Sequence, residues 1–340
     1  MNEIENGVIK YQIDFERYKN GAADDVIALI DEASAKISKL INSSEGVYTK
    51  ARYRLLRKAL REIAETLRER AGNSFDIEGL IENELKRQEA IMLKAFKGKQ
   101  KGLMSLPSVE QVMTSAMFKP VTQYMTYDSF LNGIQEGFYN VWDSALRAGY
   151  LSGRNTDSIV RDVIGGLTPE TRLANPGSIQ WLRNSIYSNT RTVLQSFANE
   201  ARMMAYRENE KYFGAKSADG KKYRYEYLAT LDRRTCLPCG DLDGKLYERI
   251  DDCPTVPRHS GCRCLVVPYF ETEGEMRASE NGYVSSKVTF EEWLGKQSDS
   301  VKKDVLGKSR FEMYKQGTRM AQFVDNGRTL TLEQLKERNE

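Results

Sequence analysis

The sequence predicts a mainly α-helical protein, in which long helices precede a small C-terminal β unit that carries a Cys/His zinc-type cluster and is followed by short helices. Apolar residues recur at helical spacing over the first two thirds of the chain. After Gly214 the pattern changes to strand-like alternation and turn dipeptides. All five cysteines and the single histidine of the 340 residues lie between Cys236 and Cys264.

The composition is that of an ordinary soluble protein. Hydrophobic residues make up 40%, charged residues 29%, and the formal net charge is +3. No apolar run approaches about 18 residues, so no membrane span is expected. The acidic N-terminal segment lacks the apolar region of a secretory signal peptide. We therefore expect the protein to lie in a reducing cytoplasm. An odd number of cysteines also argues against a full disulfide framework.

The pattern divides the chain into four predicted segments. Residues 1–105 form an N-terminal helical arm or bundle, and residues 106–215 form a helical core region. Residues 216–275 form the small β unit with the Cys/His cluster. Residues 276–340 form a C-terminal helical tail.

The helical elements follow from apolar stripes and capping residues. A first stripe comprises Val26, Ile30, Ala33, Ile37 and Leu40. A second stripe comprises Leu56, Leu60, Ile63 and Leu67. Asp76 is the predicted N-cap of a helix over Ile77–Phe96. Further helices are predicted from Asp128 to Tyr150 and from Ser178 to Tyr212.

A basic segment, Lys94–Lys101, separates two of these helices. It reads KAFKGKQK and contains Lys94, Lys97, Lys99 and Lys101. One interpretation is a solvated linker. The other is a sequence-independent contact with DNA phosphates, for which the arginines of the Ser178–Tyr212 helix are a second candidate.

The β unit and the tail are predicted from local signals. Tyr223–Leu228 and Cys264–Phe270 are expected to be strands, and Asp243-Gly244 a hairpin-type turn. The polar stretch Gly274–Ser286 is expected to be a loop. Thr289 and Ser298 are predicted caps of two helices, and Leu330–Arg338 is expected to form a terminal helix.

The Cys/His cluster has two halves. The first, Cys236-Leu-Pro-Cys239-Gly240, has the Cys-x2-Cys-Gly form of a zinc knuckle, in which two intervening residues let both sulfurs reach one ion. Gly240 is expected to be needed for the backbone turn that directs amides at sulfur. The second half offers Cys253, His259, Cys262 and Cys264.

A tetrahedral structural zinc site takes four ligands, so not all six candidates can bind one ion. We expect Cys236 and Cys239 to bind, together with two of His259, Cys262 and Cys264. Cys253 is the expected spectator, because it lies in an acidic, Pro-rich loop six residues before His259.

Two other interpretations of the cluster remain open. The first is a redox Cys-x2-Cys motif, although such motifs usually begin a helix after a strand of a βαβ unit. The second is inert thiols or a local disulfide. A catalytic metal is disfavoured because it needs an open coordination position and a general base nearby. With a single histidine and no phosphate-binding loop, the sequence predicts no catalytic residues and no other cofactor.

The stretch from Leu228 to Pro268 resembles the Mu F-like minor head (minor capsid) proteins of tailed phages, also called head morphogenesis proteins. The pattern is D-x-R-T-C-x2-C-x2-L-D-G, then a variable loop, then P-x-H-x2-C-R-C. The matching residues are Asp232, Arg234, Thr235, Cys236, Cys239, Leu242, Asp243, Gly244, Pro257, His259, Cys262, Arg263 and Cys264. The resemblance extends from about Asp128 to the C-terminus. It does not cover the first ~125 residues.

The resemblance implies a low-copy virion protein that lies inside the head near the portal vertex and is present in the host cytoplasm during assembly. Its expected role is head morphogenesis, with genome packaging and ejection as candidate steps. The implied partner is the phage portal protein. The major capsid protein, a scaffolding protein and the genomic double-stranded DNA are further candidates, and no membrane is involved. The family does not imply an enzyme. The alternatives are a metal-dependent enzyme that processes nucleic acid and a host-encoded zinc-binding adaptor.

Overall fold

The protein is described by a computed structural model covering residues 3–43, 49–95, 104–122, 125–153, 156–164, 178–216, 220, 222–269 and 276–338. Over these ranges it is mainly helical, with a small strand region, a Cys/His cluster and then short helices, which confirms the predicted fold class. Among the described residues, no helix is long and apolar enough to cross a membrane.

The elements before the β unit are helical. They are α1 (Glu3–Asn42), α2 (Lys50–Asn73), α3 (Ile77–Ala95), α4 (Val109–Phe118), α5 (Tyr127–Leu151), α6 (Thr156–Ile164) and α7 (Ile179–Asn209). The predicted helices therefore form with end points shifted by a few residues at most. The segment Lys94–Lys101 lies outside the described residues from position 96 onward, so its two interpretations stay predictions.

Strands and short helices make up the C-terminal part. The strands are β1 (Ala215–Lys216), β2 (Lys222–Tyr223), β3 (Tyr225–Leu228), β4 (Leu246–Tyr247), β5 (Leu265–Pro268), β6 (Met276–Ser279), β7 (Gly282–Ser285), β8 (Val324–Asp325) and β9 (Arg328–Thr329). The helices are α8 (Leu237–Gly240), α9 (Phe290–Gly295), α10 (Asp299–Lys315) and α11 (Leu332–Glu337).

The chain divides into two compact units, each built from separate stretches of sequence. One comprises residues 13–82 and 109–198, and is called the helical unit below. The other comprises residues 1–12, 83–108 and 199–340, and is called the β-containing unit. The four predicted segments follow the order of the sequence and stay predictions.

The helical unit buries the predicted apolar stripes with one exception. Leu56, Leu60, Ile63 and Leu67 are all buried, as predicted. In the first stripe, Leu40 is 38% exposed whereas Ile41 is fully buried. Relative to Ile37, Leu40 lies about 60° to one side of the helix and Ile41 about 40° to the other, and the packing buries the Ile41 side. Assigning Leu40 to the stripe was therefore wrong.

The β-containing unit has a hydrophobic core shared by the β region and the tail. Its members come from the segment around the Cys-x2-Cys motif, from the tail helices and from the residues that flank the last hairpin. They are Leu231, Leu237, Phe290, Trp293, Leu294, Leu306, Phe311, Met320, Phe323, Leu330 and Leu335. Leu237, between the two cysteines of the first half, thus anchors the Cys/His cluster to the same core as the tail.

The predicted caps form in this unit. Thr289 and Glu292 make a reciprocal capping box at the start of α9, and the Ser298 hydroxyl accepts from the Val301 amide at 3.4 Å. In the helical unit, the Asp76 carboxylate likewise accepts from the Gly79 amide at 2.9 Å. These caps depend on a few neighbouring residues, which is why the sequence predicts them.

The prediction of a loop over Gly274–Ser286 was wrong. Within it, β6 and β7 pair as an antiparallel hairpin, with Ser279 opposite Gly282. Gly282 has φ of 115°, which a glycine adopts without strain. Val284 packs against the shared core, and Arg277 bonds to Asp243 on the same side. Two distant anchors therefore hold a polar segment in strand conformation.

Candidate metal centre

Strand pairing brings the two halves of the Cys/His cluster to one end of a small sheet. The strand order is β4-β3-β5 and all pairs are antiparallel. Leu228, the last residue of β3, pairs with Leu265, the first residue of β5. The first half of the cluster follows β3 and the second half directly precedes β5. The two halves therefore meet at the Leu228–Leu265 end of the sheet.

The first half is a single helical turn. Cys236 precedes α8 in an extended conformation, and its carbonyl accepts from the amides of Cys239 at 3.1 Å and Gly240 at 2.9 Å. Pro238 occupies the first turn, where its missing N–H costs nothing. Both thiols consequently project from the same turn.

The second half is a tight turn that ends at the sheet. The Cys262 amide donates to the His259 carbonyl at 3.1 Å. Gly261 has φ of 75° in the left-handed region, which only glycine adopts readily. The turn places His259 and Cys262 together, and Cys264 follows immediately before β5.

The structure brings all five predicted ligand residues together, in two groups that share Cys239. The first group is Cys236, Cys239 and His259, and the second is Cys239, Cys262 and Cys264. Within each group the potential ligand atoms lie within 4.8 Å of one another. His259 Nε2 is 3.2 Å from Cys236 Sγ and 3.5 Å from Cys239 Sγ. All five cysteines are free thiols.

Cys253 belongs to neither group. Its thiol points to the carbonyl of Arg249 at 3.5 Å. Burial, with a smaller effect from Asp252, raises the pKa of Cys253 to about 12, so it stays a neutral thiol. Its distance from both groups of potential ligands agrees with the spectator role expected from the sequence.

The electrostatics of the first group favour a thiolate. The hydrogen bond from the Cys239 thiol lowers the pKa of Cys236 to about 5 against the opposing effect of partial burial, and His259 lowers it further. The interaction with Cys236, followed by that with Cys262, raises the pKa of His259 to about 11. Both shifts favour the charged forms of Cys236 and His259, and metal binding at these atoms would release a proton.

Tyr227 closes the buried side of the cluster. Its side chain is fully buried on β3, and its hydroxyl makes no hydrogen bond of normal geometry. Burial raises the pKa of Tyr227, and the proximity of the Cys264 and Cys239 sulfurs raises it further. The hydroxyl thus stays protonated beside the sulfurs, where a weak donor can orient a thiolate.

An ion pair between the two halves supports the cluster from outside. The guanidinium of Arg263, between Cys262 and Cys264, binds both carboxylate oxygens of Asp232, one of them at 2.7 Å. Burial acts to raise the pKa of Asp232, but the hydrogen bond and charge of Arg263 outweigh it and lower that pKa. Asp232 also accepts from the Arg234 amide at 2.9 Å, which holds the chain just before Cys236.

Asp243 is a second support, and sequence reasoning missed its role. Its side chain is fully buried and accepts from the amides of Ala229 and Phe290, each at 2.7 Å. Arg277 donates to both carboxylate oxygens at 3.0 Å. The predicted turn does form, since Gly244 has φ of 77°. No signal in the sequence pairs Asp243 with a residue 34 positions away.

The predicted reason for Gly240 was wrong. Its φ is not positive, so no left-handed turn requires a glycine there. A Cβ at Gly240 would instead lie 2.3 Å from a ring carbon of Phe290, well inside van der Waals contact. The glycine is needed because an aromatic ring of the tail packs directly on the backbone of the Cys-x2-Cys turn.

The donor set fits a metal ion. Four thiols and one imidazole gathered in a turn-rich unit match the soft ligands of closed tetrahedral sites. The cluster could therefore bind a metal ion, with its ligands drawn from Cys236, Cys239, His259, Cys262 and Cys264. Comparison of the chain with protein-family models, curated proteins and solved structures gives no match.

Proposed function

We propose that this chain is a minor head protein of a tailed phage. In this proposal it is a low-copy virion component that binds the portal and acts in head morphogenesis rather than as an enzyme. The proposal is supported by the contacts made by the residues that resemble the minor-head pattern. Asp232 pairs with Arg263, and Asp243 accepts from the Phe290 amide of the tail. The four cysteines of the pattern lie together with His259.

That set of interactions favours an assembly module over a catalytic centre. A catalytic metal site needs an open coordination position and a general base. The two buried or half-buried carboxylates of the pattern, Asp232 and Asp243, are engaged by Arg263 and Arg277 respectively. Their charges stabilise the fold of the unit, which is the role expected in a structural protein.

We further propose that the metal is zinc and that its role is structural. Zinc takes tetrahedral thiolate and imidazole ligands without redox chemistry. Cys236, Cys239 and His259 would hold it together with Cys262 or Cys264. A structural zinc contributes directly to folding free energy, which suits a β unit whose sheet has strands of two to four residues.

Co-purification with the portal tests the proposed function. The chain and the portal protein of the same phage are co-expressed, with an affinity tag on the portal, and the eluate is analysed by size exclusion. We expect the chain to elute with the portal oligomer. The matched control is the portal of an unrelated phage, which should not retain the chain. Mass spectrometry of gradient-purified virions and proheads provides a second readout. Absence from both particles and from the portal fraction would refute the proposal.

A further inference from the structure

Charge is segregated along helix α2. The first half contains basic residues and no acidic residue, although the whole chain has 51 basic and 48 acidic residues. These basic residues are Lys50, Arg52, Arg54, Arg57, Lys58 and Arg61. Acidic residues return only in the second half, at Glu62, Glu65 and Glu69. Such blocks differ from the interspersed charges of an ordinary solvated helix.

Helix stability does not explain this arrangement. Lys50, Arg54 and Lys58 are four residues apart, so like charges are neighbours on the helix surface and repel. Positive charges near the N-terminus also oppose the helix dipole, and the first turn holds no acidic residue to offset them. The cationic block is therefore retained despite a cost to the helix.

Two of these basic residues are used within the helical unit. Arg52 donates to the carbonyl of Ile41 at 2.8 Å. Arg57 pairs with Asp143 at 2.7 Å and donates to the Tyr139 hydroxyl. Both side chains point toward neighbouring helices and are only partly exposed.

Within the part of the chain that the structure describes, the remaining four make no hydrogen bond that sequesters them from solvent, and Arg61 also lies over the Tyr139 ring of α5, at 5.6 Å from its centroid. Lys50, Arg54, Lys58 and Arg61 are all exposed. Among the described residues, the ion pairs involve only Lys58 of these four, with Glu62 at 3.9 Å and with both side chains largely exposed. At about 1.5 Å per residue, the four span about 16 Å along one helix face.

Helix α5 packs beside this surface. Tyr53 of α2 stacks on Tyr150 of α5, with ring centroids 5.5 Å apart and nearly parallel planes. We call Lys50, Arg54, Lys58 and Arg61 the basic stripe.

We propose that the basic stripe binds the phosphate backbone of double-helical DNA. Duplex DNA carries one negative charge per about 1.7 Å of its axis, so a linear stripe of about 16 Å can contact several phosphates at once. Binding would be independent of base sequence, because no side chain of the stripe is placed to read base edges. The stripe lies outside the part of the chain that resembles minor head proteins, so this inference does not depend on the proposed function.

The surroundings favour a duplex over other polyanions. Single-strand binding uses exposed aromatic side chains as stacking platforms, whereas Tyr53 and Tyr150 are partly buried and stack on each other. An acidic protein partner would need apolar anchor pockets. The exposed large apolar side chain of α2 is Leu55, which is 69% exposed. A single such side chain is not an anchor pocket. Phosphate binding needs only cations, because counterion release drives it.

Fluorescence anisotropy with two labelled 30-base-pair duplexes of unrelated sequence tests the proposal. The full chain is titrated at several salt concentrations and compared with the triple variant Arg54→Gln, Lys58→Gln, Arg61→Gln. We expect both duplexes to lose affinity by the same factor, more than about tenfold at low salt. The slope of log K against log salt should shrink by about 2.7, because three contacts contribute about 0.9 each. The single variant Arg54→Gln should lower the slope by about 0.9.

A matched triple variant controls for total charge. Lys303→Gln, Lys308→Gln, Lys336→Gln removes the same charge from exposed positions of α10 and α11. Its affinity should stay within about twofold of wild type, and circular dichroism should show all variants folded. An equal loss in both triples, an unchanged affinity in the stripe variants, or no binding by wild type at low salt would overturn the proposal. Tighter binding to a single-stranded 30-mer or to polyglutamate would overturn the choice of duplex.

Discussion

The carboxylate of Asp243 and the guanidinium of Arg277 form a buried ion pair across 34 residues of sequence, with nitrogen–oxygen distances of 3.0 Å. Arg277 also donates to the carbonyls of Ala229 and Val288. The same carboxylate accepts from the first amide of α9. This pair therefore ties the turn after the Cys-x2-Cys segment to the β6–β7 hairpin and to the tail.

Replacing Asp243 by Asn should strongly destabilise the β-containing unit. The change leaves the Arg277 charge buried without its partner, and its side chain is only 12% exposed. Breaking a buried pair in this way costs about 3–5 kcal/mol. Urea unfolding followed by tryptophan fluorescence measures the loss, since Trp293 lies in the core of this unit.

Asp241→Asn is the matched control for that change. Asp241 pairs with Lys245 at 2.8 Å on the surface of the same segment, and Lys245 is about half exposed. Exposed pairs contribute about 0–1 kcal/mol, so the control should unfold close to wild type. Similar losses in both variants would show that Asp243 does not join the three segments.

Purified protein should contain about one zinc ion per chain, because a tetrahedral site takes four ligands and the cluster offers five. Removing zinc with a chelator under reducing conditions should lower the midpoint of thermal unfolding, because binding free energy is folding free energy here. Elemental analysis and calorimetry on the same sample measure both effects. A metal-free protein that unfolds at the same temperature as the zinc-treated protein would contradict the zinc proposal.

Cys239→Ser should abolish stoichiometric metal binding, because Cys239 belongs to both groups of potential ligands. Losing a structural zinc removes on the order of 10 kcal/mol of local folding free energy, so the β unit should unfold. Elemental analysis and near-UV circular dichroism report the two effects. Cys253→Ser is the control and should keep the metal, since Cys253 belongs to neither group. Equal metal loss in both variants would make Cys253 a ligand.

Gly240→Ala should destabilise the protein by about 1–3 kcal/mol through overpacking. The new methyl group would meet the Phe290 ring at 2.3 Å, so the ring or the Cys-x2-Cys turn must shift. Denaturant unfolding measures the change. Gly295→Ala is the control, because its Cβ would meet only the Tyr314 hydroxyl at an ordinary 3.5 Å. A neutral Gly240→Ala would show that the Phe290 contact is not tight.

The Asp232–Arg263 pair should make stability depend on acid pH. The pKa of Asp232 is lowered in the folded protein, where Arg263 outweighs the opposing effect of burial. The stabilisation is therefore fully present above the pKa of the unfolded chain and is lost as the pH falls through the lower folded pKa. The free energy of unfolding should differ most between wild type and Asp232→Asn above about pH 5 and converge toward pH 2. A difference that stays constant over this range would contradict the pair's role.

Local patterns in the sequence determined the helical class, the caps at Asp76, Thr289 and Ser298, and the two halves of the Cys/His cluster. Each depends on residues within about one or two turns of chain, so spacing and residue type suffice. The same holds for strand β3, whose alternation is visible without knowing its partners, and for strand β5, which lies in the apolar run Cys264–Phe270.

Tertiary structure alone decided the features that join distant segments. The buried Asp243–Arg277 pair, the packing of Phe290 on Gly240 and the pairing of the polar β6–β7 segment all depend on partners that no local pattern names. The choice of Ile41 over Leu40 and the exposed face of the basic stripe depend on how neighbouring helices pack. Long-range contacts between residues remote in sequence set these features, because burial and pairing are properties of the assembled chain and not of any one segment.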